Sequence, residues 1–129
     1  MERRLVSSGS PFEPTMGFSR AVRDGRHVHV AGTCAVMPDG AEPPAAAYGQ
    51  ARRCLEIIVN ALAESGAKPD DVVRTRMFIQ DVDDAEAVGR AHGELFAGVR
   101  PASTMVVVTG FLDPRWVVEI EADALLPEA

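Results

Sequence analysis

The 129-residue chain predicts an α+β fold, a sheet carrying two helices on one of its faces. Strand-like runs alternate with two segments of helical periodicity in the order β-β-β-α-β-α-β-β. The second part of that order repeats the βα step of the first. The length suits one domain over residues 1–129, large enough to build a core without disulfides or metal.

Residues 3–7 form a short edge strand, and Ser10 to Thr15, with two prolines, an irregular connection. Phe18 to Arg23 and Arg26 to Ala31 are two strands joined around Asp24-Gly25, a hairpin signal. Pro38-Asp39-Gly40 and Pro43-Pro44 then mark a loop. Ala45 to Ser65 is the clearest helix. Ala51, Cys54, Leu55, Ile58 and Leu62 line one side, Gly66 ends it and Pro69 forbids continuation. Asp71 to Gln80 alternates, with Val73, Thr75, Met77 and Ile79 on one face and Arg74, Arg76 and Phe78 on the other. Asp83 with Glu86 resembles an acidic capping box, opening a helix to about Phe96 with Val88, His92, Leu95 and Phe96 inward. Ser103 to Val108 and Trp116 to Leu125 are the last strands, joined by a bend over Gly110 to Pro114.

The last strand raises a question. Val118, Ile120, Ala122 and Ala124 face the helices, so Val117, Glu119, Glu121 and Asp123 face away. A face mixing valines with charges is either solvated or a subunit interface whose polar groups line clefts.

The net charge of −6 argues against a nucleic-acid partner, which needs a basic footprint. Only one of the 13 basic residues is a lysine, and the arginine pairs Arg3-Arg4 and Arg52-Arg53 are short clusters. Cys34 and Cys54 have no zinc spacing, and Cys54 falls on a buried helix side as an inert thiol. No signal peptide is visible, and no stretch approaches the ~20 apolar residues of a membrane span. These features point to a cytoplasmic protein with no membrane partner.

Five segments in order resemble the RidA/YjgF family, from Gly17 to Ala124. Gly17-Phe18-Ser19-Arg20-Ala21-Val22 is similar to its G-P-Y-S-Q-A-V, and Val30-Ala31-Gly32-Thr33 to its S-G-Q strand end. Gln50-Ala51-Arg52 opens the long helix, and Asp71 to Asp81 is similar to D-V-V-K-T-x-V-F-[VL]-x-D. Pro101-Ala102-Ser103-Thr104 and Val118-Glu119-Ile120-Glu121-Ala122 are similar to P-A-R-S and V-E-I-E-A.

The resemblance implies a chorismate-mutase-like fold with a mixed sheet, assembled as a homotrimer with clefts between subunits. It implies hydrolysis of reactive imines and enamines, such as 2-imino acids, to keto acids and ammonia, with no metal and no cofactor. Carried over, the family's water-positioning glutamate is Glu119. The backbone N–H that contacts substrate is that of Gly32, and the cleft tyrosine becomes Phe18. Ala31, Gly32 and Thr33 of one strand end, with Ala102, Ser103, Thr104 and Met105, complete the substrate-binding set. One departure matters most: the arginine that clamps the substrate carboxylate is Ser103 here. The helix motif V-N-x-x-Y is altered to Val88-Gly89-Arg90-Ala91-His92, and the glutamine of S-G-Q is Thr33.

A bidentate guanidinium–carboxylate pair is charge-assisted, and its loss could cost about 10²-fold in rate. The expected substrate is therefore not a simple 2-imino acid, unless Arg20, Arg100 or a neighbouring subunit's arginine stands in. The alternative is a non-catalytic trimer that binds a small molecule. A ribonuclease or translation inhibitor, also attached to the family, fits an acidic chain poorly. Other signals have plainer readings. Ser103 and Thr104 lack a visible base for nucleophilic chemistry. His27 and His29 share a strand face but lack a third metal ligand. His92 suits a core or interface position, and Cys34 a loop.

Overall fold

The protein is described by a computed structural model over residues 3–128. Six strands form one sheet in the order β1-β2-β3-β6-β4-β5. They are β1 Arg3–Val6, β2 Ala21–Asp24, β3 His27–Thr33, β4 Val72–Ile79, β5 Ala102–Val107 and β6 Val118–Leu125. Neighbours are antiparallel except β4 and β5, so the sheet is mixed. The helices are α1 Phe12–Met16, α2 Ala47–Glu64 and α3 Ala85–Phe96. The long helix α2 packs on β3 and β6, with α3 beside it. No described helix is long and apolar enough to cross a membrane.

The apolar face of β6 is as the alternation requires: Val118, Ile120, Ala122 and Ala124 are all buried. With Val28, Val30, Met77 and Ile79 they meet Ala51, Cys54, Leu55, Ile58 and Leu62 of α2, and Val88 and Phe96 of α3. Burying a large aliphatic side chain contributes about 1.5–3 kcal/mol, so this layer dominates the fold. Burial pushes the Cys54 thiol up to about 12, which keeps it inert. Arginines close the C-terminal end of α2, with Arg4 donating to the Glu64 carbonyl and Arg23 to that of Ser65.

Local differences from the sequence expectations have physical causes. The connection over Ser10 to Thr15 contains α1. Pro14 sits in its first turn, where no N–H is needed, and Gly17 (φ 77°) ends it in the left-handed region. The hairpin turn is Gly25-Arg26, because Asp24 pairs with His27; Gly25 has φ 65° at the first central position. Val73 is exposed and Val72 takes the buried place. Val72 faces Ala124 and Arg74 faces Asp123, so a bulge at Val73 shifts the alternation by one. At the start of α3 the capping side chain is Asp81, which accepts from the Asp83 N–H in a preceding 3₁₀ turn.

Gln50 ties the sheet to the loop ahead of β6. It is 1% exposed; its Nε2 donates to the Pro44 and Arg115 carbonyls and its Oε1 accepts from the Val117 N–H. A buried amide so satisfied fixes the loop that carries Leu112 and Trp116.

Candidate functional site

The site begins with a second bulge. Val30 pairs with Ala122 and Thr33 with Ile120, so Ala31 and Gly32 of β3 together oppose Glu121 alone. The Glu119 carboxylate lies over Gly32. A Cβ built on Gly32 would stand 2.9 Å from Cδ of Glu119 and 3.1 Å from each carboxylate oxygen, so only glycine leaves that space open.

Arg20, 8% exposed, grips the same bulge from the other side. Its Nη1 donates to the Gly32 carbonyl at 2.7 Å and to Thr33 Oγ1 at 3.0 Å. The Thr33 hydroxyl in turn donates to the Ala31 carbonyl. Phe18 lies against the guanidinium, 5.6 Å from ring centroid to Cζ. Cys34 is buried and donates to Glu119 Oε1 at 3.5 Å. Burial first, then the charge of Glu119, raises the Cys34 thiol far above its ordinary range, so it is a proton donor and not a nucleophile.

These groups line a cleft of about 410 Å³ that joins Phe18, Arg20, Ala31, Gly32, Cys34 and Glu119 to apolar walls from Phe12, Met16, Leu112 and Trp116. A neighbouring cavity of about 590 Å³ shares Arg20, Cys34 and Trp116 and adds Thr33 and Arg53. The walls from α1 and from the loop before β6 were not legible as site residues. The exposed Phe12 and Met16, four apart, were the available signal.

The second group of expected residues lies elsewhere in the chain. Strand β5 is the sheet edge beyond β4, and Ser103 pairs with Thr75. Thr75 faces the helices and is 1% exposed, so Ser103 and Met105 point to the helix side. Ala102 and Thr104, paired with Arg74 and Arg76, share the open face with Glu119. Within one chain, then, Phe18, Ala31 and Gly32 meet Glu119, while Ser103 and Met105 do not. Thr33 lines the adjoining cavity.

Ser103 has a partner that spacing did not reveal. Thr75 Oγ1 donates to Ser103 Oγ at 2.8 Å and lies 2.8 Å from Nε2 of His92 on α3. With Thr75 donating to Ser103, its oxygen accepts from Nε2–H, and the Ser103 hydroxyl hydrogen is left for an outside acceptor. Burial lowers the His92 pKa, which favours the neutral ring.

The open face carries a charge ladder: His29 contacts Asp123 at 2.7 Å, and Arg76 contacts Asp123 at 3.2 Å and Glu121 at 3.0 Å. Those acids are paired, and Glu119 has no ion pair among the described residues. His27 and His29 stack at 6.3 Å, and the described residues contain no cluster able to hold a metal. A groove of about 350 Å³ between α2 and α3 is polar on its rim, where Arg52 pairs with Glu94, and it holds no comparable constellation.

Known proteins resemble this chain in sequence and share its fold. A protein of Streptomyces coelicolor, itself uncharacterised, is 45% identical over 121 residues, 94% of this chain and 90% of its own length. A RutC family protein of Pyrococcus abyssi is 27% identical over 125 residues, covering 96% and 98%. A crystal structure from Mycobacterium tuberculosis, described as a member of the YjgF/YER057c/UK114 family, is 43% identical. It superposes with a TM-score of 0.87 over 97% of this chain and all of that one. Escherichia coli TdcF, solved with bound serine, shares the fold at 24% identity and a TM-score of 0.80, covering 96% and 94%. The family model described as Endoribonuclease L-PSP matches residues 9–126, and the chain belongs to that family, the RidA/YjgF proteins.

Proposed function

We propose that the chain, one domain over residues 1–129, works as a cytoplasmic homotrimer that hydrolyses the C=N bond of a small imine or enamine other than a simple 2-imino acid. The observation that carries this reading is the Glu119 carboxylate, unpaired among the described residues, over Gly32 in a cleft with apolar walls. An enamine first takes a proton from solvent on its β-carbon and becomes an iminium. Glu119 accepts a proton from water as the water oxygen bonds to the C=N carbon of the iminium. The carbinolamine nitrogen then takes that proton back from Glu119 and leaves as ammonia, while the hydroxyl oxygen forms the C=O bond and releases its proton to solvent. General-base assistance of this kind contributes about 10²–10⁴-fold. Cys34 orients Glu119 through its thiol proton.

Assembly would bring a neighbour's β5 edge to this cleft. Val106 and Val107 on that edge, and Phe12, Met16 and Leu112 at the cleft, are exposed apolar side chains that a trimer would cover. Ser103, Thr104 and Met105 would then form the second wall, with the Ser103 hydroxyl as a neutral donor. That serine favours a second reading, a trimer that binds a small molecule without turning it over. TdcF holds serine in the same fold, at an identity that speaks for the fold alone. The family description names an endoribonuclease, but a chain of net charge −6 supplies no basic stripe for RNA.

The test combines mass with turnover. Light scattering should give three times the 13.8 kDa chain, about 41 kDa. Enamines and cyclic imines, uncharged and carboxylate-bearing, are then screened for ammonia release. Glu119→Gln should cut turnover of a substrate so found by at least about tenfold and leave the melting temperature unchanged. A stable monomer removes the inter-subunit site, and wild-type turnover in the Gln variant removes the mechanism.

A further inference from the structure

We propose that Arg20 is the anion-gripping group of this cleft, and that the ligand carries a carboxylate which docks on it. The assignment rests on the Glu119 cleft being the ligand site, and it narrows the substrate class to carboxylate-bearing molecules that reach from Arg20 to Glu119. Ser103 has left the β5 side without a cation, and the chain has one on the β3 side.

Three observations place the grip. Arg20 is 8% exposed, yet no carboxylate lies within ion-pair distance of it among the described residues. A mostly buried cation that no carboxylate contacts directly is only partly compensated, and a docking anion supplies the direct partner. Glu13, itself buried, feels the Arg20 charge from beyond ion-pair distance and is held by Ser8, whose backbone N–H and hydroxyl both donate to it. Arg53, in the adjoining cavity, is the contrast: it already pairs with Glu56 at 2.9 Å and donates to the Val36 carbonyl.

Second, the bonds that Arg20 makes leave the right edge free. Nη1 spends its hydrogens on Gly32 and Thr33. The Nε–H and Nη2–H edge has no partner among the described residues, and no described side-chain nitrogen is both buried and unsatisfied, so that edge meets cleft space. Two parallel N–H groups match a planar carboxylate bidentately. Third, Arg20 lines both cavities and bonds the carbonyl of the residue whose Cα faces Glu119. A ligand spanning the two would present its carboxylate to Arg20 and its C=N carbon toward Glu119. The two charges are separated by one residue.

Trp116, the only tryptophan, lines both cavities and reports occupancy by its fluorescence. The probes are pyruvate, its neutral isostere pyruvamide, and inorganic phosphate. The wild type should bind pyruvate at least about tenfold more tightly than pyruvamide, and more tightly than phosphate. Arg20→Gln should erase the preference for pyruvate over pyruvamide, and Arg20→Lys should keep part of it. An arginine that merely staples the bulge predicts lower melting temperatures for both variants with the preference untouched.

Equal response to pyruvate and pyruvamide in the wild type, response to neither, or tighter binding of phosphate overturns the assignment without any variant. Retention of the preference in Arg20→Gln overturns it as well. Glu119→Gln separates this claim from the hydrolase reading, because it should keep the pyruvate preference and lose turnover. A variant set in which Glu119 governs turnover and Arg20 leaves the preference unchanged keeps the hydrolase and discards the grip. The reverse set keeps the grip and discards the hydrolase.

Discussion

The β3–β6 pair and the β5 edge hold different kinds of chemistry. At the first, a bulge gathers Glu119, Arg20 and Cys34 around one glycine, two charged groups and a protonated thiol in a walled cleft. At the second, Ser103, Thr75 and His92 form a chain of neutral hydroxyls and a neutral ring. The family resemblance puts an arginine at the position of Ser103, and the helix-facing groups found around it are neutral. Charge is concentrated on the β3 side. The comparison teaches that one sheet can gather charged groups at a bulged strand pair and keep the helix-facing side of its parallel edge neutral.

The largest expected effect tests whether the β5 side is a built network. Thr75→Val keeps the shape but removes the hydroxyl that joins His92 to Ser103. His92 Nε2 would lose its hydrogen-bond partner, at a cost of about 1–3 kcal/mol. Urea unfolding should show that loss as a lower midpoint with an unchanged slope. A midpoint within about 0.3 kcal/mol of wild type would mean that water replaces Thr75 and that the region is an ordinary edge.

These networks explain what the sequence disclosed and what it hid. Unbroken alternation along β6 exposes its buried face directly, and the apolar stripe of α2 does the same for the helix. Each bulge adds one residue, and the parity of the strand reverses beyond it. That is why simple alternation puts Val73 inward although it is exposed, and why Thr33 is buried two residues after a half-buried Ala31. No local pattern signals such a shift. The Thr75–Ser103 bond joins residues 28 apart, and Arg20 meets Gly32 across a strand pair, so neither has a spacing signature. Glu119 was legible as a polar group on the open face. What it faces was not, because that depends on the bulge.

A smaller effect breaks the β3 side without unfolding it. Gly32→Ala would place a methyl carbon 2.9 Å from Glu119 Cδ, too close to be tolerated. The atoms in the way belong to the end of a flexible side chain, so the carboxylate swings aside and the core keeps its packing. Stability should fall by less than about 1 kcal/mol, while turnover falls at least about tenfold because the base leaves its place. Equal turnover in Gly32→Ala and wild type would show that the position of Glu119 does not matter, and the β3 side would lose its claim to be the reactive one.

The smallest effect asks whether the β5 side is neutral, and it comes from His92. Burial lowers its pKa from the ordinary 6.5 in the folded state. The unfolded chain therefore binds a proton near pH 6.5 that the folded chain still refuses, and in that window the unfolded state carries more protons. Stability then rises with pH through the window and is lost as pH falls below about 6.5. Half-exposure of the ring screens part of the effect, so the slope should be shallow. The chain has two further histidines, His27 and His29, so the informative quantity is a difference between proteins. His92→Gln keeps an N–H for Thr75 and removes the titrating nitrogen. Urea midpoints from about pH 5 to about pH 8 should fall less steeply toward acid in the variant than in the wild type. Parallel curves would mean that His92 gains its proton as readily folded as unfolded. The β5 side would then carry a positive charge at mildly acid pH, and the division into a charged and a neutral side would fail there first.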